Sequence, residues 1–328
     1  MPGFEKKAVE AGVVRILIYG GGAVGLGLAA CLLKAGEQVD ILARANTQCS
    51  LQKNGLQLYG ILGESSVKPH DFQCVTDIDE VSKKAYDYIL VCTKSFDSST
   101  AAQNIAAHPL LLHEQSRIVL VQNGWGNAET FAEHLPAERI FNARVITGFY
   151  RPQSNQVEIT AHVQPIHIGS LFKAGLTAIE ELCAKINQGG IPCKAAPDIA
   201  CDLWAKLLFN CALNPLGAIF NVPYGVLAEQ ENSRQIMDEI IHEVFKVMEA
   251  TGYSTHWDSA AEYLEAFYSS IVPLAAKHRS STLQDIQAGK KTEIDALNGA
   301  VIGLGQEQGI AVPCNMMLYN MIRFMELG

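Results

Sequence analysis

Lys206, Asn210 and Asn214 stand four residues apart within the apolar run Lys206–Asn221, KLLFNCALNPLGAIFN. On a helix that spacing aligns an ammonium and two carboxamides on one slowly drifting face. Such groups are costly to bury in a greasy helix unless something satisfies them. Water would do so on a plain amphipathic stripe; a polar ligand would do so in a site. A lysine in such a site can meet an oxygen that gathers negative charge and deliver a proton to it. Partial burial would lower its pKa toward working pH, which suits both tasks. The two carboxamides can hydrogen-bond the hydroxyl and carboxylate groups of a small polar acid. Pro215, in the same run, cannot donate to a carbonyl one turn earlier. The helix is therefore expected to kink or loosen where Asn214 faces a ligand.

The second candidate lies near the start of the chain. Val13–Tyr19 (VVRILIY) reads as a strand and ends in Gly20, Gly21, Gly22, Ala23, Val24 and Gly25. Leu26–Ala35 follows as an Ala/Leu-rich helix stopped by Gly36. Strand, glycine loop and helix in that order is the context in which GxGxxG binds a dinucleotide. Gly20 permits the turn, Gly22 lets backbone approach a pyrophosphate, and Gly25 lets helix and strand pack closely. The helix N-terminus would supply N–H groups to the phosphates.

The next strand, Gln38–Ala43, lacks a terminal acid for a ribose 2′-hydroxyl. Ala43 takes that place, Arg44 follows it, and Asp40 lies too early in the strand. A missing carboxylate beside a guanidinium suits a 2′-phosphate, so the expected cofactor is NADPH. Tyr86–Thr93 and Arg117–Val121 are further buried strands, running into Lys94 and into Gln122-Asn123-Gly124. Ligands of a doubly wound sheet sit at the carboxyl ends of its strands, where Lys94 and Asn123 stand. Asn-Gly is also ordinary turn chemistry.

The elements that must carry these residues divide into two groups. Arg139–Thr147, Gln156–Ile159 and Pro165–Ile168 read as strands extending the far edge of the sheet, followed by a helix over Leu176–Asn187 and a strand over Ile191–Ala195. His162 and His167 have no metal-ligand spacing and read as structural; no metal is expected. From Pro197 long helical patterns take over: Asp198–Phe220, Asn232–Thr251, Trp257–Ile271, Thr292–Gln308 and Val312–Leu327. The expected class is α/β, with a Rossmann-type dinucleotide-binding domain over 1–197 and an all-helical domain over 198–328. The cleft between them is the default substrate site. Besides the Lys206 face, a hydroxyl-rich turn at Arg279–Thr282 with Ser281 and a helix start at Thr292-Glu293 point into it. There Thr292 could serve as an N-cap and Glu293 as a first-turn acid.

Bulk properties narrow the class of protein. In 328 residues, 48% are hydrophobic and 18% charged, as in a well-buried globular chain of two domains. A net charge of −9 without a basic cluster argues against nucleic acid as a partner. Nine scattered cysteines without a CxxC pair read as reduced thiols. The start of the chain has no signal-like apolar stretch and no run suits a membrane span, so the expected setting is soluble and cytoplasmic.

Together GGGAVG with Arg44, CTKSFD, QNGWGN, KLLFNCALNPLGAIFNVPYG and RSSTLQDIQAGKKTEIDALNG resemble ketopantoate reductase (2-dehydropantoate 2-reductase), from Val14 to about Met325. The last two motifs are far more specific than any GxGxxG. The resemblance implies a cytoplasmic NADPH-dependent oxidoreductase of pantothenate and coenzyme A biosynthesis, acting on a small 2-oxo acid, with a homodimer as the assembly to look for. By matching position it implies Lys206 as proton donor, with Asn210, Asn214 and Ser281 holding substrate. Asn123 would touch cofactor and substrate, and Lys94 and Glu293 would lie by the cofactor, with Glu293 also near the reacting hydroxyl. Tyr224 departs from the family, where many members have Asn before the glycine of the VPxG turn, and residues 1–12 are extra to it. A related reductase of another 2-oxo acid would keep the same machinery. A non-catalytic dinucleotide-binding regulator would be expected to lose Lys206 or Glu293, and both are present.

Overall fold

A computed structural model describes residues 12–327 except residue 82, so the extra N-terminal stretch lies outside the described residues up to Gly12. Strand β1 (Arg15–Tyr19) is buried at every position but its first, as a central strand covered on both faces must be. Ile16 and Ile18 point into one core while Leu17 and Tyr19 point into the other. The glycine loop follows directly. Gly20 adopts φ +122°, and a Cβ there would meet the Cys92 carbonyl carbon at 2.8 Å. Helix α1 (Ala23–Lys34) then crosses so close that a Cβ on Gly25 would lie 2.0 Å from the Gly20 carbonyl oxygen.

The chain continues through β2 (Gln38–Leu42), α2 (Ala45–Asn54), β3 (Leu56–Gly60), β4 (Ser65–Val67), β5 (Gln73–Val75), β6 (Tyr86–Val91) and α3 (Ser98–Ala107). It goes on through β7 (Leu112–Leu120), α4 (Asn127–Ala132), β8 (Ile140–Arg144), β9 (Thr147–Gln153), β10 (Gln156–His162), β11 (Ile166–Gly169), α5 (Thr177–Gln188) and β12 (Cys193–Ala195). The main sheet has eight strands in the order β12-β11-β8-β7-β6-β1-β2-β5, parallel throughout except between β8 and β11. After β5 the chain returns to the other side of β1 to lay down β6. This reversal leaves a crevice at the carboxyl ends of β1 and β6.

One strand expectation needs correction. Only part of the 139–168 segment extends the main sheet. β9 and β10 leave it and form a second sheet with the order β4-β3-β10-β9. That sheet lies over α1: a Cβ on Gly27 would sit 2.5 Å from the Phe149 ring. Alternating side chains identify a half-buried strand but do not name its neighbour.

The second half is helical: α6 (Ile199–Ile219), α7 (Tyr224–Glu229), α8 (Glu231–Ala250), α9 (Ala260–Ala266), α10 (Val272–Leu274), α11 (Ser281–Gln287), α12 (Asn298–Glu307) and α13 (Pro313–Met325). Its core gathers Trp204, Leu208, Cys211, Met237, Ile240 and Val244 between α6 and α8. Two helices differ from expectation. The 257–271 helix starts at Ala260, where Ser259 caps it by accepting from Glu262 N, and passes through a π-turn at Phe267–Ile271. The 292–308 helix starts at Asn298, after a short 3-10 turn over Ile294–Ala296.

At Pro215, where a kink or a loosening is expected, one helical hydrogen bond is lost. α6 continues through Pro215 as one helix. The carbonyl that Pro215 leaves without its helical donor is that of Cys211, and Asn298 Nδ2 donates to it at 3.2 Å. A buried side chain from α12 thus supplies the missing hydrogen bond. Among the described residues no helix is long and apolar enough to cross a membrane, and all nine cysteines are free.

Candidate active site

The glycine loop, Lys94 and Asn123 follow β1, β6 and β7, which are adjacent in the sheet, so they share one rim. Gly22 is exposed and precedes α1 without any side-chain cap, leaving the first-turn N–H groups of the helix free. A Cβ on Gly22 would meet nothing nearer than the Cys92 carbonyl oxygen at 3.9 Å, so the loop presents an open cradle. These features fit the pyrophosphate of a dinucleotide. Ala23 and Val24 form the half-buried first turn of α1, and Gly21 packs on Ala43. Arg44 is exposed and stands immediately before α2.

Lys206 reaches this rim from α6. Its ammonium donates to Asn123 Oδ1 at 2.6 Å and to the Val145 carbonyl at 2.7 Å. Burial lowers its pKa to about 8; the Glu293 carboxylate pulls it up and the Arg144 guanidinium pushes it further down. An ammonium has three donors, and these contacts engage two of them. Asn123 continues the chain of contacts, with its Nδ2 donating to Glu293 Oε2 at 3.4 Å. Its backbone carbonyl accepts from Asn127 Nδ2 at 3.0 Å, which ties the Asn-Gly turn to α4.

Glu293 is buried and belongs to the segment before α12. Its carboxylate accepts from the Ser95 amide at 3.1 Å and pairs with Lys94 at 3.2 Å. Lys94 also pairs with Asp285 of α11 at 2.8 Å. Burial alone would lower the Lys94 pKa, but Glu293 and Asp285 outweigh it and raise it above the ordinary lysine value. Next to Glu293, Thr292 is fully buried, donates to Glu326 Oε1 and accepts from Ile294 N. Thr292 therefore locks this segment to the end of α13.

The two asparagines of α6 have different surroundings. Asn210 is buried and lines a cavity of about 10 Å³ with Lys206, Asn123, Gln122, Leu203 and Leu207. That volume suits about one water. Asn214 is also buried, but its Oδ1 accepts from the Tyr224 hydroxyl, so its acceptor is already engaged. Ser281 does not lie in a turn: it opens α11, half-buried, while the neighbouring Ser280 caps the helix by accepting from Leu283 N at 3.0 Å. α11 packs against α6, and its Asp285 reaches Lys94 at 2.8 Å.

Several residues that shape the site carried no clear sequence signal. Asp285 sits in the motif around Ser281, but only the fold shows that it meets Lys94 across 191 residues of chain. Gln122 Nε2 ties the Lys94 carbonyl and the Ser98 hydroxyl together at 3.1 and 2.9 Å, fixing the rim. Arg144, almost wholly buried, donates to Gln164 Oε1 and stands 3.4 Å from Asp202, one helical turn before Lys206. His167 Nδ1 lies 2.7 Å from the same carboxylate and His256 Nε2 lies 3.0 Å from it. This cluster joins β8 and β11 to the start of α6. His162 instead meets Thr147 at 3.0 Å.

Known proteins can be set beside this geometry. The family model described as ketopantoate reductase PanE/ApbA matches residues 16–172, and its C-terminal companion matches residues 198–326. The 2-dehydropantoate 2-reductase of Aquifex aeolicus is 32% identical over 316 residues, spanning 96% of this chain and 98% of that protein. The crystal structure of 2-dehydropantoate 2-reductase from Geobacter metallireducens has a TM-score of 0.83 at 28% identity, covering 95% of this chain and 99% of that one. D-mandelate dehydrogenase, solved with NADH and anilino(oxo)acetate, shares the fold at a TM-score of 0.82 and 21% identity, covering 95% of this chain and 98% of that one.

Proposed function

Since the chain belongs to the ketopantoate reductase family, we propose that it reduces 2-dehydropantoate (ketopantoate) to (R)-pantoate with NADPH, in pantothenate and coenzyme A biosynthesis. The observation that carries this reading is the Lys206 ammonium, held by Asn123 Oδ1 and the Val145 carbonyl with a pKa of about 8. We assign cofactor binding to residues 1–197 and substrate binding to residues 198–328, with the chemistry in the cleft where Lys206 meets Asn123.

When bound, the reduced nicotinamide supplies the hydride that goes to the ketone carbon of the substrate. Gly20, Gly21, Gly22, Ala23, Val24 and Gly25 would hold its pyrophosphate, and Arg44, next to Ala43 in place of an acid, would meet the 2′-phosphate. Lys94, Asn123 and Glu293 would face its nicotinamide end. As the ketone oxygen gathers charge, the third donor of Lys206 stabilises it and passes it a proton. With a pKa of about 8, roughly nine-tenths of Lys206 is protonated at pH 7, ready to act as the acid. Val145 and Asn123 hold the lysine so that this donor need not be reoriented during reaction. Asn210 and Ser281 bind the substrate's polar groups, and Asn214 contributes its Nδ2. Glu293 keeps the Lys206 pKa from falling further and anchors the Lys94 loop.

Tyr224 favours a second reading. Its hydroxyl occupies the Asn214 acceptor, where the resemblance to the family places a substrate contact. A related 2-oxo acid that asks less of Asn214 would suit this pocket. Steady-state rates for ketopantoate and a small panel of 2-oxo acids, each with NADPH and NADH, test both readings. The expected result is highest kcat/KM for ketopantoate with NADPH. A better 2-oxo acid would favour the second reading, and no acceleration by any 2-oxo acid would defeat both.

A further inference from the structure

Arg151 lies in the middle of β9, on the second sheet, and no motif marks it. Phe149 packs on α1 at Gly27, and side chains two apart on a strand share a face. Arg151 therefore points toward the same end of the molecule, and its Nη1 donates to the Gly21 carbonyl at 2.8 Å. The same nitrogen lies 3.3 Å from the hydroxyl of Thr47, in the first turn of α2. Arg151 thus bridges the glycine loop and the start of α2, where Arg44 also stands.

The electrostatics of this corner are unusual for a chain with a net charge of −9. Burial lowers the Arg151 pKa, and the positive charge of Arg44 lowers it further. Among the described residues the arginine ion pairs involve Arg144 and Arg323 only, so neither Arg44 nor Arg151 has a carboxylate partner. Two guanidinium groups that repel each other at a partly buried corner form a site that an anion would stabilise. Both of these contacts of Arg151 are made through Nη1, which leaves Nη2 and Nε for a ligand. A guanidinium fork of this kind matches a phosphate in a way that a lysine cannot.

We infer that Arg151 is a second binding residue for the 2′-phosphate of the cofactor's adenosine, working with Arg44 and the first turn of α2. The inference rests on the NADPH reading of the site. It also gives the second sheet a task, since β9 carries a cofactor contact into the main sheet's crevice.

Binding measurements without turnover test it. Calorimetry on the full chain, wild type and Arg151→Gln, would use 2′,5′-ADP against 5′-AMP and NADPH against NADH. Arg151→Gln should weaken 2′,5′-ADP and NADPH about tenfold or more, while changing 5′-AMP and NADH less than twofold. Arg151→Lys, which keeps the charge and loses the fork, should fall between the two. If Arg151→Gln weakens all four ligands alike, Arg151 is a brace for the glycine loop and the inference is overturned. A melting curve separates that brace from misfolding, and Arg151→Lys keeps the question open to an answer if Arg151→Gln does not fold. A wild type that does not prefer 2′,5′-ADP over 5′-AMP defeats the NADPH reading itself. A wild type with that preference, matched by both variants, overturns only the role of Arg151.

Discussion

Lys94 and Lys206 stand at the two ends of one chain of contacts, Lys94 on Glu293 and Lys206 on Asn123, whose Nδ2 donates to Glu293, and their proton affinities move in opposite directions. Burial works against the charge of both. At Lys94 that effect is outweighed by Glu293 at 3.2 Å and Asp285 at 2.8 Å, so the pKa rises. Among the described residues no carboxylate touches Lys206; its partners are the side-chain oxygen of Asn123 and a main-chain carbonyl, and its pKa falls to about 8. Contacting carboxylates therefore set two identical side chains apart, which suits them to the proposed roles of fixed cation and proton carrier. Pairs of titratable groups pushed apart in this way give the assignment of roles in a site.

The largest effect is expected from removing the Lys206 ammonium. Lys206→Ala should lower kcat by about 10²- to 10⁴-fold, the usual worth of a positioned acid, with little change in NADPH affinity. Steady-state kinetics and a cofactor titration check both halves, and full turnover in this variant would end the proton-donor reading. In the wild type, kcat/KM should fall as pH rises through about 8 if, as proposed, the protonated form of Lys206 is the active one. Stability should respond in the other direction. The folded lysine titrates at about 8 and an exposed one at 10.5, so between them the unfolded chain binds more protons. The penalty for burying this cation is full below about pH 8 and shrinks as pH rises toward 10.5. The stability of wild type relative to Lys206→Met should therefore increase across that window, as read by denaturant unfolding.

Glu293→Gln acts on both lysines at once. It deprives Lys94 of one partner, weakens the anchor on the Ser95 amide, and removes the charge that holds the Lys206 pKa up. The expected loss in kcat/KM is on the order of tenfold, the scale of one charged hydrogen bond. The basic limb of the pH profile should move to lower pH. An unmoved limb would mean that Glu293 does not set the proton affinity of Lys206.

A smaller effect is expected at the two asparagines on α6. Tyr224→Phe leaves the buried Asn214 Oδ1 without its donor, at a cost of about 1–3 kcal/mol in stability. It should also change the ranking of 2-oxo acids, since Asn214 can then turn its acceptor to a substrate. Unfolding curves and the same substrate panel check this, and an unchanged ranking would remove Tyr224 from the specificity of the site.

These contrasts were partly legible in the sequence. Local signals carried the glycine loop with α1, the strand-end residues Lys94 and Asn123, and the helical face of Lys206 and Asn210, because each depends on spacing within one element. What sequence reading missed depends on which elements meet. Asp285, Arg144 and Arg151 are ordinary charged residues until α11, β8 and β9 are brought beside the lysines and the loop. Of the elements between α2 and β6, β4 and β5 escaped notice because they have only three residues each, too few for a periodic pattern. At Pro215 the donor that replaces the missing N–H comes from Asn298, far along the chain, which no local signal could name.

The smallest effect is expected where only one of the two lysines is touched. Asp285→Asn leaves Lys206, Asn123 and Val145 as they are and removes one of the two carboxylates on Lys94. Lys94 is partly exposed, and ion pairs of that kind contribute about 0–1 kcal/mol, so the loss should be no more than about fivefold. It should appear as a raised KM for the cofactor, with the basic limb of the profile still at about 8. Burial pushes the Asp285 carboxyl above the usual range even though Lys94 opposes it, so the wild type loses this charge early as pH falls. The difference between wild type and Asp285→Asn should therefore narrow on acidification. If Asp285→Asn moved the basic limb as far as Glu293→Gln does, the two lysines would be one coupled system, and the division into a fixed cation and a proton carrier would have to be abandoned.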